Sequence, residues 1–115
     1  MHPADTDRSE VKLAFKQHQR PIGVYQIRNV ATGKIYFGGS NNLDAIFNRH
    51  RFELSLDSHR NKELQQDWNE YGEASFSFEI LQTVEQNDEV GRNYKEELRV
   101  LEQLWFDRLK PDVQL

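Results

Sequence analysis

The sequence predicts an α/β (α+β) fold, a small three-stranded, largely antiparallel sheet flanked by helices. The spacing of apolar residues predicts the elements in the order helix, two strands, two helices, strand, helix. This spacing has a period near 3.6 in the helices and alternates in the strands. The first two strands are separated by a short turn, which is typical of a hairpin. The chain has 115 residues, which fits one domain with one modest core.

Composition narrows the class of protein. Hydrophobic residues make up 37% of the chain and charged residues 30%, which is ordinary for a globular domain. The absence of cysteine excludes disulfides, thiolate zinc sites and thiol catalysis, and it fits a cytoplasmic protein. No apolar run approaches the roughly 18 residues that a membrane span needs. The net charge of −4 argues against nonspecific coating of nucleic acid, but a local basic patch is compatible with it.

The first element is a predicted helix over Asp5–His18, which Pro21 ends because proline lacks the amide donor. Since the motifs begin after it, residues 1–21 are interpreted as an accessory helix and residues 22–115 as the main domain. The polar start of the chain does not have the form of a signal peptide.

A hairpin follows, with predicted strands at Ile22–Asn29 and Ile35–Phe37. Between them, Ala31–Lys34 forms a turn in which Gly33 supplies a positive φ. Gly38–Asn42 is predicted to be a loop, and either Asn41 or Asn42 can cap the next helix.

The remaining elements are two helices, a strand and a last helix. Helices are predicted over Leu43–Leu56 and, after a cap at Ser58, from about His59 to Tyr71, where Gly72 ends the second one. Phe76–Leu81 alternates as a strand does. A polar loop over residues 86–92 leads to a helix over Tyr94–Leu109, which Pro111 terminates.

Two tyrosines of the hairpin are candidate site residues. Tyr25 and Tyr36 lie near strand ends, and Gly23 and Gly38 remove side-chain bulk beside them. A phenol can hold a water or a phosphate oxygen, or move a proton. The alternative interpretation is a cross-strand aromatic pair.

Glu102 is the second candidate, because it falls within the apolar stripe of the last helix. Leu98, Leu101, Trp105 and Leu109 define that stripe. A carboxylate on a buried face is costly unless it is paired or binds a metal ion. Mg²⁺ commonly takes one or two carboxylates with water and phosphate oxygens. A structural salt bridge, or a position at the edge of the stripe, is the competing interpretation.

A basic cluster in the first helix after the hairpin is the third candidate. His50 shares the apolar face with Ile46 and Leu54, which is also typical of a core histidine. Arg49 and Arg51 point elsewhere on the helix. They could bind phosphate oxygens or belong to a solvated face.

These segments together resemble the GIY-YIG nucleases. Gly23–Tyr25 and, ten residues later, Tyr36–Gly38 are similar to the two triplets of that family. Gly39–Leu43 resembles the segment that follows the second triplet, and His50 falls where many members have a helix histidine. The segment from Leu101 to Pro111 resembles the one that carries the metal-binding glutamate.

The resemblance implies hydrolysis of DNA phosphodiester bonds. Tyr25 would help to activate water, as a base or through its hydrogen bonds, and Tyr36 would support it and contact phosphate. His50 would belong to the site, Arg49 or Arg51 would bind phosphate, and Glu102 would hold one Mg²⁺ or Mn²⁺ ion. The expected substrate-binding residues are Lys34, Gly38, Ser40 and Asn42. Any sequence specificity would come from this domain, a homodimer or a recruiting protein.

Two departures from the family pattern leave alternatives open. The family's arginine, eight residues after the second triplet, is Ile46 here, and an asparagine near the end is Gln114. Either Arg49 or Arg51 replaces that arginine, or cleavage is weakened or lost. The sequence is therefore also compatible with a nucleic-acid-binding module, or with a protein-interaction domain that uses the acidic stretch Glu85–Glu89.

Overall fold

The computed structural model describes residues 20–86 and 92–115. The elements are β1 (Gly23–Asn29), β2 (Ile35–Ser40), α1 (Leu43–Ser55), α2 (Lys62–Tyr71), a short 3₁₀ turn (Glu73–Ser75), β3 (Phe76–Thr83), α3 (Tyr94–Leu109) and β4 (Val113–Gln114). The predicted helix over Asp5–His18 and residues 87–91 of the polar loop and acidic stretch lie outside the described residues. None of the described helices is long and apolar enough to cross a membrane.

The hairpin is confirmed. Strand β1 pairs antiparallel with β2, so that Tyr25 lies opposite Gly38. In the turn, Gly33 has φ 79° and its amide donates to the Asn29 carbonyl at 2.7 Å. Strand β2 continues to Ser40, so the start of the predicted loop at Gly38 was wrong. This extension carries Gly38 and Gly39 into the sheet.

The sheet has four strands in the order β3-β1-β2-β4, and it is mixed. The prediction of three largely antiparallel strands was therefore incomplete, because β4 pairs with β2 in parallel. Two residues cannot show an alternating pattern, so β4 has no sequence signal. Its pairing depends on distant partners. The Ile35 amide donates to the Asp112 carboxylate at 2.8 Å, and the Leu115 amide donates to the Phe37 carbonyl at 2.6 Å.

Alternation along the strands separates two packing faces. Tyr25, Ile27 and Tyr36 form one core with residues of α1 and α2, among them Leu43, Leu54, Leu64 and Trp68. Phe37 points to the other face, where its ring lies 6.4 Å from that of Phe106 in α3. The sheet therefore separates α1 and α2 from α3.

The bounds of the helices decide where the histidines lie. Helix α1 begins after Asn42, which is one of the two predicted caps. The Asn42 side chain accepts a hydrogen bond from the Ala45 amide at 3.2 Å. Helix α2 begins at Lys62 with Asn61 as its cap, so the predicted start at His59 was wrong. The Ser58 hydroxyl instead donates a hydrogen bond to the Glu53 carbonyl at 3.3 Å, just after the end of α1. Gly72, with φ 85°, ends α2 as predicted, and α3 has the predicted bounds.

Candidate active site

Tyr25 is a buried residue of β1, with 2% of its surface exposed. Its hydroxyl lies 2.7 Å from His50 Nε2, and its ring meets the edge of Phe47 at 5.4 Å. A Cβ on the opposing Gly38 would lie 2.6 Å from that hydroxyl, so the phenol needs a glycine there. Burial raises the pKa of Tyr25, and the charge of Glu102 raises it further by a smaller amount. The phenol therefore keeps its proton at neutral pH.

His50 and His59 extend this contact into a buried network. His50 Nδ1 lies 2.7 Å from His59 Nε2, and the two rings stack at 5.0 Å. His59 Nδ1 accepts from the backbone amide of Asn61 at 3.0 Å. Burial and the neighbouring His59 lower the pKa of His50 to about 4, and burial lowers the pKa of His59. Both rings are neutral at pH 7.

Glu102 approaches the same end of β2 from α3. A Cβ on Gly39 would lie 2.1 Å from Glu102 Oε1, so the carboxylate occupies the space that this glycine leaves. The predicted apolar stripe is half-buried, and so is Glu102. Burial raises the pKa of its carboxyl group. Within residues 20–86 and 92–115, no hydrogen bond or ion pair holds this carboxylate, so the competing salt-bridge interpretation finds no partner there.

Two cavities that share one lining residue lie beside these groups. A cavity of about 380 Å³ lies beside Tyr25, Gly39 and His50, and a cavity of about 210 Å³ lies beside Glu102. Gln114 of β4 lines both. Tyr25 and Glu102 therefore flank Gly38–Gly39 in adjacent spaces, close enough for the carboxylate to influence the pKa of the phenol.

Comparison with known proteins shows the family to which the chain belongs. The GIY-YIG catalytic domain family matches residues 21–114. The chain belongs to the GIY-YIG family. It is similar to the catalytic domain of the homing endonuclease I-TevI, with 28% identity and a TM-score of 0.62 over 77% of this chain and 88% of that one. A mutant of the same catalytic domain, at 24% identity, matches in fold over 78% and 84%, with a TM-score of 0.63.

Only one of the two expected arginines reaches the site of this GIY-YIG domain. Arg49 lines the cavity beside Tyr25, where its Nε donates to Glu53 Oε1 at 2.7 Å. The guanidinium of Arg51 instead lies 4.2 Å from the centre of the Phe78 ring, on the side of β3. Ile46 lines the same cavity as Arg49, so an apolar side chain faces the space beside Tyr25.

Tyr36 and Lys34 lie in a different network. The buried hydroxyl of Tyr36 donates to Asp67 Oδ2 at 2.8 Å, and Lys34 pairs with Glu63. A cavity of about 420 Å³ adjoins Lys34 and Asp67, apart from those beside Tyr25 and Glu102. Burial and the Asp67 carboxylate raise the pKa of Tyr36. The structure does not bring Tyr36 or Lys34 to the pair formed by Tyr25 and Glu102.

The other expected substrate-binding residues make contacts within the protein; they are Gly38, Ser40 and Asn42. Gly38 lies beneath the Tyr25 hydroxyl. Ser40 Oγ accepts from the Asn42 amide at 3.0 Å, and Asn42 caps α1. Ser40 also lines a wide cavity of about 910 Å³, together with Arg20 and Lys95.

His59 and Arg60 were not predicted to belong to the site. Both line the cavity beside Tyr25. They precede α2 in an irregular connection, where neither helical nor strand spacing applies. The available signal was the basic composition of this segment.

The residues present suit a hard divalent cation with few protein ligands. Among the described residues, no group of three or more histidines, cysteines, aspartates and glutamates could hold a metal ion together. Glu102 offers a carboxylate with no ion pair among the residues that the structure describes, beside a glycine that leaves space. Mg²⁺ keeps several waters and is often held by one or two carboxylates and substrate phosphates, whereas zinc sites use three or four protein ligands. Glu102 fits a site of the magnesium type.

Proposed function

We propose that this GIY-YIG domain hydrolyses DNA phosphodiester bonds with one divalent metal ion, Mg²⁺ or Mn²⁺, held by Glu102. One observation carries the proposal. Two consecutive glycines, Gly38 and Gly39, leave space for the Tyr25 phenol and the Glu102 carboxylate at the same end of β2. When bound, the ion would neutralise charge that develops on the phosphate and orient the leaving oxygen.

The protein's own groups have distinct roles in this proposal. Tyr25, protonated at neutral pH, donates a hydrogen bond to a phosphate oxygen, and the attacking water releases its proton to solvent. His50 holds the phenol at 2.7 Å. Arg49 binds phosphate oxygens from the adjoining cavity, since a guanidinium presents paired donors to such groups. Tyr36 anchors β2 to α2 through Asp67.

Nicking of supercoiled plasmid DNA with Mg²⁺ or Mn²⁺ tests this function. The Glu102→Gln variant is expected to lose at least about 100-fold in rate, since metal stabilisation supplies several kcal/mol. Glu96→Gln is the matched control, because Glu96 lies exposed on the same helix and pairs with Arg99. A wild-type preparation that does not nick DNA, or nicking that Glu102→Gln leaves unchanged, would refute the assignment.

Ile46 favours a second candidate, a module that binds nucleic acid without cleaving it. This side chain lines the Tyr25 cavity and offers no donor to a phosphate. Ile46→Arg would place a guanidinium there and is expected to increase nicking if the site is weakened but intact. Ala45→Arg, at the adjacent exposed position, should not. Salt-sensitive DNA binding without nicking in the wild type and in Ile46→Arg would support the binding module.

A further inference from the structure

The hydrogen bonds from Asn61 to Tyr25 form a chain whose direction is determined at one end. The backbone amide of Asn61 can only donate, and it points at His59 Nδ1 at 3.0 Å. That nitrogen must therefore be an acceptor without a proton. A neutral imidazole has one donor and one acceptor nitrogen, so the proton of His59 is on Nε2.

The same rule then determines the state of His50. His59 Nε2 donates to His50 Nδ1 at 2.7 Å, so that this nitrogen accepts and the proton of His50 is on Nε2. His50 Nε2 in turn donates to the Tyr25 hydroxyl oxygen at 2.7 Å. The reversed chain would place an N–H of His59 against the N–H of Asn61, leaving two buried donors facing each other.

We propose that His59 is a positioning residue, which holds His50 as a hydrogen-bond donor to Tyr25 and so directs the phenol's own proton into the cavity beside Gly39. The phenol oxygen already accepts from His50, and its O–H is left to donate to a water or phosphate oxygen. His50 cannot take the proton of Tyr25, because the nitrogen that faces the phenol already carries one. The protonation pattern stands on the hydrogen bonds alone, while its role in catalysis rests on the proposed function.

Nuclear magnetic resonance of the full chain tests the protonation pattern. In long-range ¹H–¹⁵N spectra at pH 7, His50 and His59 should each show a protonated Nε2 and an unprotonated Nδ1. His50→Gln and His59→Gln assign the signals. A proton on Nδ1 of either ring, or a doubly protonated ring, would overturn the proposal. This measurement gives its answer whether or not the protein cleaves DNA.

Two substitutions at His59 separate a positioning role from a packing role. Gln places its amide N–H near the position of Nε2 and can still donate to His50. Asn places its oxygen near Nδ1 and keeps the bond from the Asn61 amide as a local turn, but it loses the donor to His50. We expect His59→Gln to keep most of kcat. In His59→Asn, kcat should fall about 10- to 100-fold with KM nearly unchanged, which is the loss typical when a residue that orients a metal-binding side chain is removed.

The proposal depends on which of the two variants has the higher kcat. In His59→Asn, the His50 spectrum should also gain a population protonated on Nδ1. Equal kcat in the two variants, or a faster His59→Asn, would overturn the positioning role. If the wild type does not cleave DNA, the proposed function fails, and the His50 spectra of the two variants still decide whether His59 sets its protonation.

Discussion

At the scale of single residues, the candidate site depends on the absence of side chains at Gly38 and Gly39. Successive side chains of a strand point to opposite faces. A Cβ on Gly38 would meet Tyr25, and a Cβ on Gly39 would meet Glu102. Two adjacent glycines thus bring a phenol from one face and a carboxylate from the other to one end of β2. The sequence showed these glycines as part of a motif, but not which side chain each of them accommodates.

Gly39→Ala should lower activity more than stability. The added methyl would lie 2.1 Å from Glu102 Oε1, and the flexible carboxylate can move away without moving the backbone. We expect nicking to fall at least about 10-fold, since small displacements of catalytic groups are costly, with little change in melting temperature.

Gly23→Ala provides the contrast. Its methyl would lie 2.1 Å from the Gln82 carbonyl oxygen, so the backbone of β1 or β3 must shift. This variant should have a lower melting temperature than the wild type, which thermal denaturation followed by circular dichroism would show. A Gly39→Ala protein with wild-type nicking would mean that the position of the Glu102 carboxylate does not matter.

At the scale of elements, the connection between α1 and α2 is the part that sequence patterns described least well. A cap at Ser58 predicted a helix from about His59, yet α2 starts at Lys62. His59 donates its backbone amide to Gln65 Oε1 at 3.0 Å, and Asp57 has φ 56°. The first feature is a contact with a side chain and the second is a backbone conformation, and the periodicity of apolar residues describes neither of them.

Two buried histidines, His50 in α1 and His59 in this connection, make stability pH-dependent. His50 has a pKa of about 4 in the folded protein against 6.5 without burial, so the unfolded chain binds more protons between those values. The free energy of unfolding should therefore fall as the pH decreases through this window, by about 2 kcal/mol between pH 7 and pH 5. His59, whose pKa is also lowered, adds to the effect.

Urea denaturation at pH 7 and pH 5 measures this loss. The His50→Gln variant should show a smaller difference between the two pH values, since it lacks the group whose protonation is suppressed by folding. Acidic groups with lowered pKa values, such as Glu53, contribute mainly below this range. Equal wild-type stability at both pH values would contradict the neutral, buried state of His50.

At the scale of the whole molecule, local patterns predicted the fold class and most elements, but not the full sheet. The hairpin, α1, β3 and α3 each have a periodicity that a short window shows. Strand β4 does not, and its pairing with β2 joins residues almost 80 positions apart, such as Ile35 and Asp112. This strand also places Gln114 between the two cavities of the site.

The candidate site shows the same division. Residue types and spacing predicted four candidates that the structure brings to one region, namely Tyr25, His50, Arg49 and Glu102. Arg51 and Tyr36 were grouped with them, but stacking on Phe78 and the bond to Asp67 direct these two elsewhere. The direction of a side chain depends on its tertiary partners, which spacing along the chain does not specify.

The central claim is that Tyr25 and Glu102 act as one site, and a double-mutant cycle on the single-turnover rate of DNA cleavage tests it. Tyr25→Phe and Glu102→Gln should each slow cleavage. The double variant should be about as slow as the slower single variant, because groups that act as a unit are not additive. Losses that multiply in the double variant, as for independent sites, would contradict the account.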